Sequence, residues 1–186
     1  MSMKKKPTGR RSVKVDVKVL GSTQSATERR SAESQARALI AKFAPAHLRL
    51  VGAMRRSLLE RLPTAHEVVY EYRNWFVISY SPNEHGYEGV LAIWGSADGV
   101  KLYFSRGKDL PDPAKLLQGS SQARSINVAG ISTLAHPEVV RLIDEAIART
   151  PVPFARAGRG SVVLSPSTSA KSKTRRGGKR RQRRPA

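Results

Sequence analysis

The residues best suited to chemistry gather near one end of the chain, where Lys171, Lys173, Arg175, Arg176, Lys179, Arg180, Arg181, Arg183 and Arg184 place nine cations around Gly177 and Gly178. Each phosphate that such a run neutralises releases condensed counterions. The run therefore predicts affinity for nucleic acid or another polyanion that is largely independent of sequence and falls as salt rises. Arginine adds bidentate phosphate contacts and stacking on bases. An anionic membrane surface or an acidic protein is the alternative partner. A solvated charge run with no specific partner is the plainest reading of all.

Glu84, His85 and Glu88 put two carboxylates and an imidazole within five residues, the side-chain types of a metal or acid–base site. No second set of ligands at metal-site spacing accompanies them, so a solvated turn is the expectation and no metal is assigned. His47, His66 and His136 fall at helix or strand starts, where capping or exposure is expected before ligation. Arg124, a few residues beyond Gly119 and Ser120, is suited to hold an anion or ligand beside backbone amides. The plainer expectation for it is a salt bridge to a carboxylate of the same domain. Tyr70, Tyr72, Trp75, Tyr80, Trp94 and Tyr103 supply the aromatic side chains of the predicted strands. Core packing is their expected role, with stacking on bases as the alternative. The nucleophile elbow, the phosphate loop and the His-Glu-x-x-His helix are absent. The sequence therefore reads as non-enzymatic, with no cofactor.

Charge divides the chain into three parts. Residues 1–30 carry a net +7, residues 31–150 a net +2 and residues 151–186 a net +11, so the flanks hold 18 of the 20 net charges. A folded domain is expected at 31–150, between a basic flexible arm at 1–30 and a disordered Arg/Lys-rich tail at 151–186. The chain has no cysteine, which removes disulfides and thiolate chemistry together and fits a reducing, cytoplasmic setting. No stretch approaches the ~18 consecutive apolar residues of a membrane span, so no transmembrane segment is expected.

Periodicity outlines the domain. Val13, Val15, Val17 and Val19 alternate with charged residues, a short strand at 13–20 that either pairs with a sheet edge or stays extended. Helical spacing begins near Ser31 with Ala36, Leu39, Ile40 and Phe43, and breaks at Pro45. A second helix runs through Leu48, Val51, Met54, Leu58 and Leu62, with Arg49, Arg55, Arg56 and Glu60 on its polar side. Strands are expected at 68–72, 75–80, 89–94 and 100–104, joined by short polar or glycine-bearing turns as in an antiparallel meander. A proline-framed loop, a shorter fifth strand at 125–128 and a closing helix from Pro137 complete an α+β domain. Val162, Val163 and Leu164 form a patch in the tail that tacks loosely onto it.

Several local features are similar to the YdhG-like family, also known as domain of unknown function 1801, over about residues 38–149. They are Val69-Tyr70-Glu71-Tyr72 with Asn74, Leu110-Pro111-Asp112-Pro113 with Leu116-Leu117 and Gly119, and Gln122 with Arg124-Ser125-Ile126. The resemblance implies an antiparallel sheet packed with an N-terminal helix pair and a C-terminal helix, and little about chemistry. Some relatives carry the label of a frataxin-like iron chaperone. Iron favours oxygen-rich acidic ridges, whereas the two N-terminal helices here offer only Glu33 and Glu60 between Ser31 and Leu62.

The expectation is thus a non-enzymatic domain held to nucleic acid or another polyanion by basic arms, in the cytoplasm or at the nucleoid. The alternative is a small-ligand or iron-handling domain whose tails serve only solubility or localisation.

Overall fold

The computed structural model describes residues 22–165. The strand expected at 13–20 and the cationic run at 171–184 lie outside the described residues. Helix α1 (Ala26–Phe43) begins five residues before the expected Ser31 because a capping box sits ahead of it. The Glu28 N–H donates to the Ser25 hydroxyl at 3.3 Å, and the Ser25 N–H donates to the Glu28 carboxylate at 2.8 Å. Two of the orphan donors of the first turn are thereby satisfied. A 3-10 turn, Pro45–His47, redirects the chain into α2 (Leu48–Arg61).

Four strands follow as a meander: β1 (His66–Glu71), β2 (Trp75–Ser81), β3 (Leu91–Ser96) and β4 (Gly99–Phe104). After the proline loop comes β5 (Arg124–Asn127), then a single helical turn α3 (Ser132–Ala135) and α4 (Pro137–Ala148). Within the loop the Asp112 carboxylate accepts from the Leu116 and Leu117 amides at 3.0 and 2.8 Å. That aspartate is spent on holding the turn.

The sheet has six strands rather than about five, in the order β5-β4-β3-β2-β1-β6. The sixth, β6 (Val162–Ser165), pairs with β1 in parallel, so the sheet is mixed and not purely antiparallel. Folded structure thus reaches Ser165, and the patch expected to attach loosely is a strand whose Val162 is 1% exposed. Gly160 makes this approach possible: a Cβ there would stand 1.7 Å from the Ala65 carbonyl oxygen.

Strand parity divides the sheet into two faces. Val69, Ile78, Ile93, Leu102 and Ile126 form one cross-strand row of the buried face. These join Ile40, Val51, Met54, Leu58, Leu134, Leu142 and Ile143 of the helices in one core. The helices of the described residues therefore cover the same side. Gly95 belongs to that side too, where a Cβ would come within 2.5 Å of the Phe76 ring.

Candidate nucleic-acid interface

Among the described residues no helix of the core lies on the opposite face of the sheet. Register sets its side chains in two rows across the strands. One row runs Ser165, Tyr70, Val77, Trp94, Lys101 and Asn127. The next runs Val163, Val68, Ser79, Ala92, Tyr103 and Ser125. Tyr72 and Trp75 extend the face at the β1–β2 turn, their rings stacked at 5.2 Å with 18° between planes.

Five of the six strand aromatics named from the sequence thus share one surface, against the expectation of core packing. Tyr70, Tyr72, Trp94 and Tyr103 are half-buried, and Trp75 is 36% exposed. The exception is Tyr80, which parity sends into the core, where it is fully buried. Adjacent strands lie ~4.8 Å apart, so Trp94 and Tyr103 form neighbouring flat platforms on β3 and β4. Lys101 stands over Trp94 with its ammonium 5.6 Å from the ring centroid, a cation held at the edge of an aromatic surface. The combination of π faces and a cation suits unstacked bases joined by phosphates. The loop after β2 lies over part of the face, where Val68 and Ser79 are buried: a Cβ on Gly86 would meet the Tyr70 hydroxyl, and one on Gly89 the Ser79 hydroxyl, each at 2.2 Å.

Both ends of the described residues lie at the β6 edge of the sheet. Ser165 ends β6 in the same row as Tyr70, and Lys171 follows six residues later. At the other end of the described chain, the Ser22 N–H donates to the Arg159 carbonyl at 3.0 Å. The Gln24 side chain both donates to and accepts from the Val162 backbone, at 2.9 and 3.0 Å. Residues 1–21, with seven Lys/Arg, and residues 166–186, with nine, are therefore both joined to the chain at the β6 edge.

Other residues named from the sequence take different places. Arg124 reaches β5 with its stem against Gly107, where a Cβ would be 2.4 Å from that of Arg124. A Cβ on Gly119 would stand 4.0 Å from the Arg124 Cδ. Ser120 is exposed beside them. The expected salt bridge is not made: among the described residues Arg124 pairs with no carboxylate.

Glu84 and Glu88 turn to separate partners. Glu88 accepts from the Asn83 side chain, and Glu84 accepts from the Ser161 hydroxyl at 2.8 Å. No group of three potential metal ligands gathers among the described residues. His66 is buried, contrary to the exposure expected of it, and its Nδ1 lies 2.7 Å from the Ser161 Oγ and 3.7 Å from Glu84. The Ser161 backbone nitrogen lies 3.3 Å from the same Nδ1. A nucleophilic triad needs the hydroxyl to donate to the imidazole and the carboxylate to orient the other ring nitrogen. Here the hydroxyl donates to the carboxylate, which makes the trio a clasp between β1 and β6. Burial lowers the His66 pKa, with Glu84 opposing the shift, in keeping with a neutral ring.

Sequence reasoning also missed the partner of Glu67. This carboxylate is 1% exposed and receives Arg55 bidentately, Nε to Oε1 at 2.9 Å and Nη2 to Oε2 at 2.7 Å. The Tyr80 hydroxyl adds a third bond at 3.0 Å, and Glu33 binds Arg55 from outside at 2.8 Å. Burial works against the Arg55 charge, but the Glu67 hydrogen bond and charge outweigh it and hold its pKa above the ordinary value. Burial, reinforced by Glu67, raises the Tyr80 pKa well above that of a free phenol. Spacing shows a polar residue in a strand; it does not show which helix will answer it.

Among the described residues no helix is long and apolar enough to cross a membrane. No family model, curated protein or solved structure matches this chain.

Proposed function

We propose that the protein binds single-stranded nucleic acid on the open face of its sheet, with the basic arms adding affinity that does not depend on sequence. The observation that carries this reading is the row of Tyr70, Trp94 and Lys101 beside Tyr103, on a face that no helix among the described residues covers. The arms supply phosphate contacts from the adjoining edge, and the aromatic platforms supply stacking. Kinship with the YdhG-like family belongs to the same proposal. It is supported by the order of helix pair, meander, proline loop, strand and closing helix.

The two contributions separate in a salt series. Trp75 and Trp94 are the chain's two tryptophans, so intrinsic fluorescence reports directly on the face. Titration with a random-sequence single strand is expected to quench it. Trp94→Ala and Tyr103→Ala are each expected to cost about 1–3 kcal/mol at every salt concentration, the usual worth of a stacked base. Removing residues 166–186 is expected to reduce affinity mainly at low salt and to flatten the salt dependence. Binding without any change in tryptophan emission, and indifferent to both aromatic substitutions, would refute the sheet-face reading and leave the arms as the sole site.

A further inference from the structure

The helical side of the molecule holds a groove of about 890 Å3 between α1 and α2, a volume within the range of small-ligand sites. Arg49 and Arg56 lie two turns apart on one face of α2 with Gly52 between them, and Arg37 lines the groove from α1. Leu48 and Leu59 give the same wall an apolar part.

Two independent features point to a ligand. The first is uncompensated charge. None of these three arginines pairs with a carboxylate among the described residues. Glu33, one turn from Arg37, is engaged by Arg55 at 2.8 Å and by Arg29 at 3.8 Å. Glu60, one turn from Arg56, makes no pair with it. Three guanidinium groups thus line one groove whose carboxylate, Glu33, is already held by Arg55 and Arg29.

The second feature is Gly52. Glycine inside a helix is costly beside alanine, and packing within the protein normally explains it, as Phe76 explains Gly95. Nothing of that kind explains Gly52. A Cβ built there meets only the Arg56 guanidinium, at 3.9 Å. The missing side chain leaves bare backbone at the centre of the arginine ring, as a close-approaching ligand requires.

We propose that the α1–α2 groove binds a nucleotide-sized ligand with two or more phosphates. Arg37, Arg49 and Arg56 hold the phosphates, and the apolar part lies over Gly52 against Leu48 and Leu59. A free nucleotide and an inorganic polyphosphate share the phosphate chemistry, and comparison of the two separates them. The site lies across the sheet from the aromatic face and shares no residue with it, so it stands or falls independently of that reading.

The test uses the full chain, isotopically labelled, in amide-resolved NMR titrations with ATP and with inorganic triphosphate at moderate salt. Saturable shifts centred on Gly52, Arg49 and Arg56 are expected, with ATP the tighter ligand. Arg49→Gln and Arg56→Gln are each expected to weaken binding by roughly tenfold or more, as loss of a charge-assisted contact does. Gly52→Ala is expected to raise Tm through helix propensity and yet weaken ATP binding, a combination that a purely structural glycine does not give. Shifts confined to residues 166–186 would overturn the proposal, as would arginine variants that titrate like the parent. Triphosphate binding as tightly as ATP would overturn the role of the apolar wall. Tryptophan emission reads the opposite face and keeps the two failures apart.

Discussion

Glu67 and Tyr80 are cross-strand neighbours on the buried face, and the Arg55 guanidinium that reaches Glu67 decides whether that part of the core is satisfied. Burying a carboxylate is tolerable only when it is paired and its lone pairs are answered. Arg55 and Tyr80 together do this. Arg55→Met removes the charge and leaves Glu67 stranded, and is expected to cost about 3–5 kcal/mol in urea unfolding. The double change Arg55→Met with Glu67→Leu is expected to recover most of that loss, because the desolvated charge goes with its partner. Tyr80→Phe removes one hydrogen bond and is expected to cost about 1 kcal/mol by the same measurement. Residue parity was legible in the sequence: Tyr70 and Tyr72 differ from Phe76 and Tyr80 by which face their strand positions select. What alternation alone did not contain was which face the helices would cover, since that depends on side chains more than fifty residues away, such as those of α4. For the same reason Arg49, Arg55 and Arg56 looked alike as the polar side of a helix, although only Arg55 finds a buried partner.

At the scale of elements, α1 and β6 mark where sequence patterning was and was not sufficient. The Ser25-Ala26-Thr27-Glu28 capping box is a local signal, and it fixes the helix start better than the apolar stripe that pointed to Ser31. Ser25→Ala is expected to lower stability by about 1 kcal/mol, measured from the unfolding midpoint. Strand β6 has four residues in a stretch rich in glycine, serine and arginine, too short for a periodic signal. Its position is set by tertiary partners: the β1 backbone, the Gln24 amide and the His66 clasp. That clasp has a pH dependence whose sign follows from the lowered His66 pKa. Between the lowered folded value and the ordinary value of ~6.5 the unfolded chain binds the extra proton. The stabilisation is complete above ~6.5 and is lost as pH falls toward the folded value. Tm is expected to drop on acidification through this window, and His66→Gln is expected to flatten that part of the Tm–pH curve.

For the molecule as a whole, the domain boundary matters more than the strand count. A fragment of residues 31–150 omits β6, the start of α1 and the backbone that Gln24 and Arg29 hold. It is expected to melt well below the full chain or not to fold cooperatively, whereas a chain ending at Ser165 is expected to keep the parent Tm in a thermal scan. The helix pair, the meander and the closing helix were legible because each is long enough to show its period. The open aromatic face and the arginine groove were not, because each is assembled from elements that are remote in sequence.

The parallel strand also dictates an order of events. His66 and Ser161 are 95 residues apart, so the loop they close is the most expensive in the sheet, while the meander pairs neighbours. The outer rim of β1 therefore stands unpaired until residues 162–165 have been made, with its N–H and C=O groups free to recruit any extended segment. In that interval a second nascent copy offers the same Val162-Val163-Leu164 strand as the native one does. Exchange of β6 between two chains, at high concentration or during refolding, is the misassembly to which this architecture is most exposed.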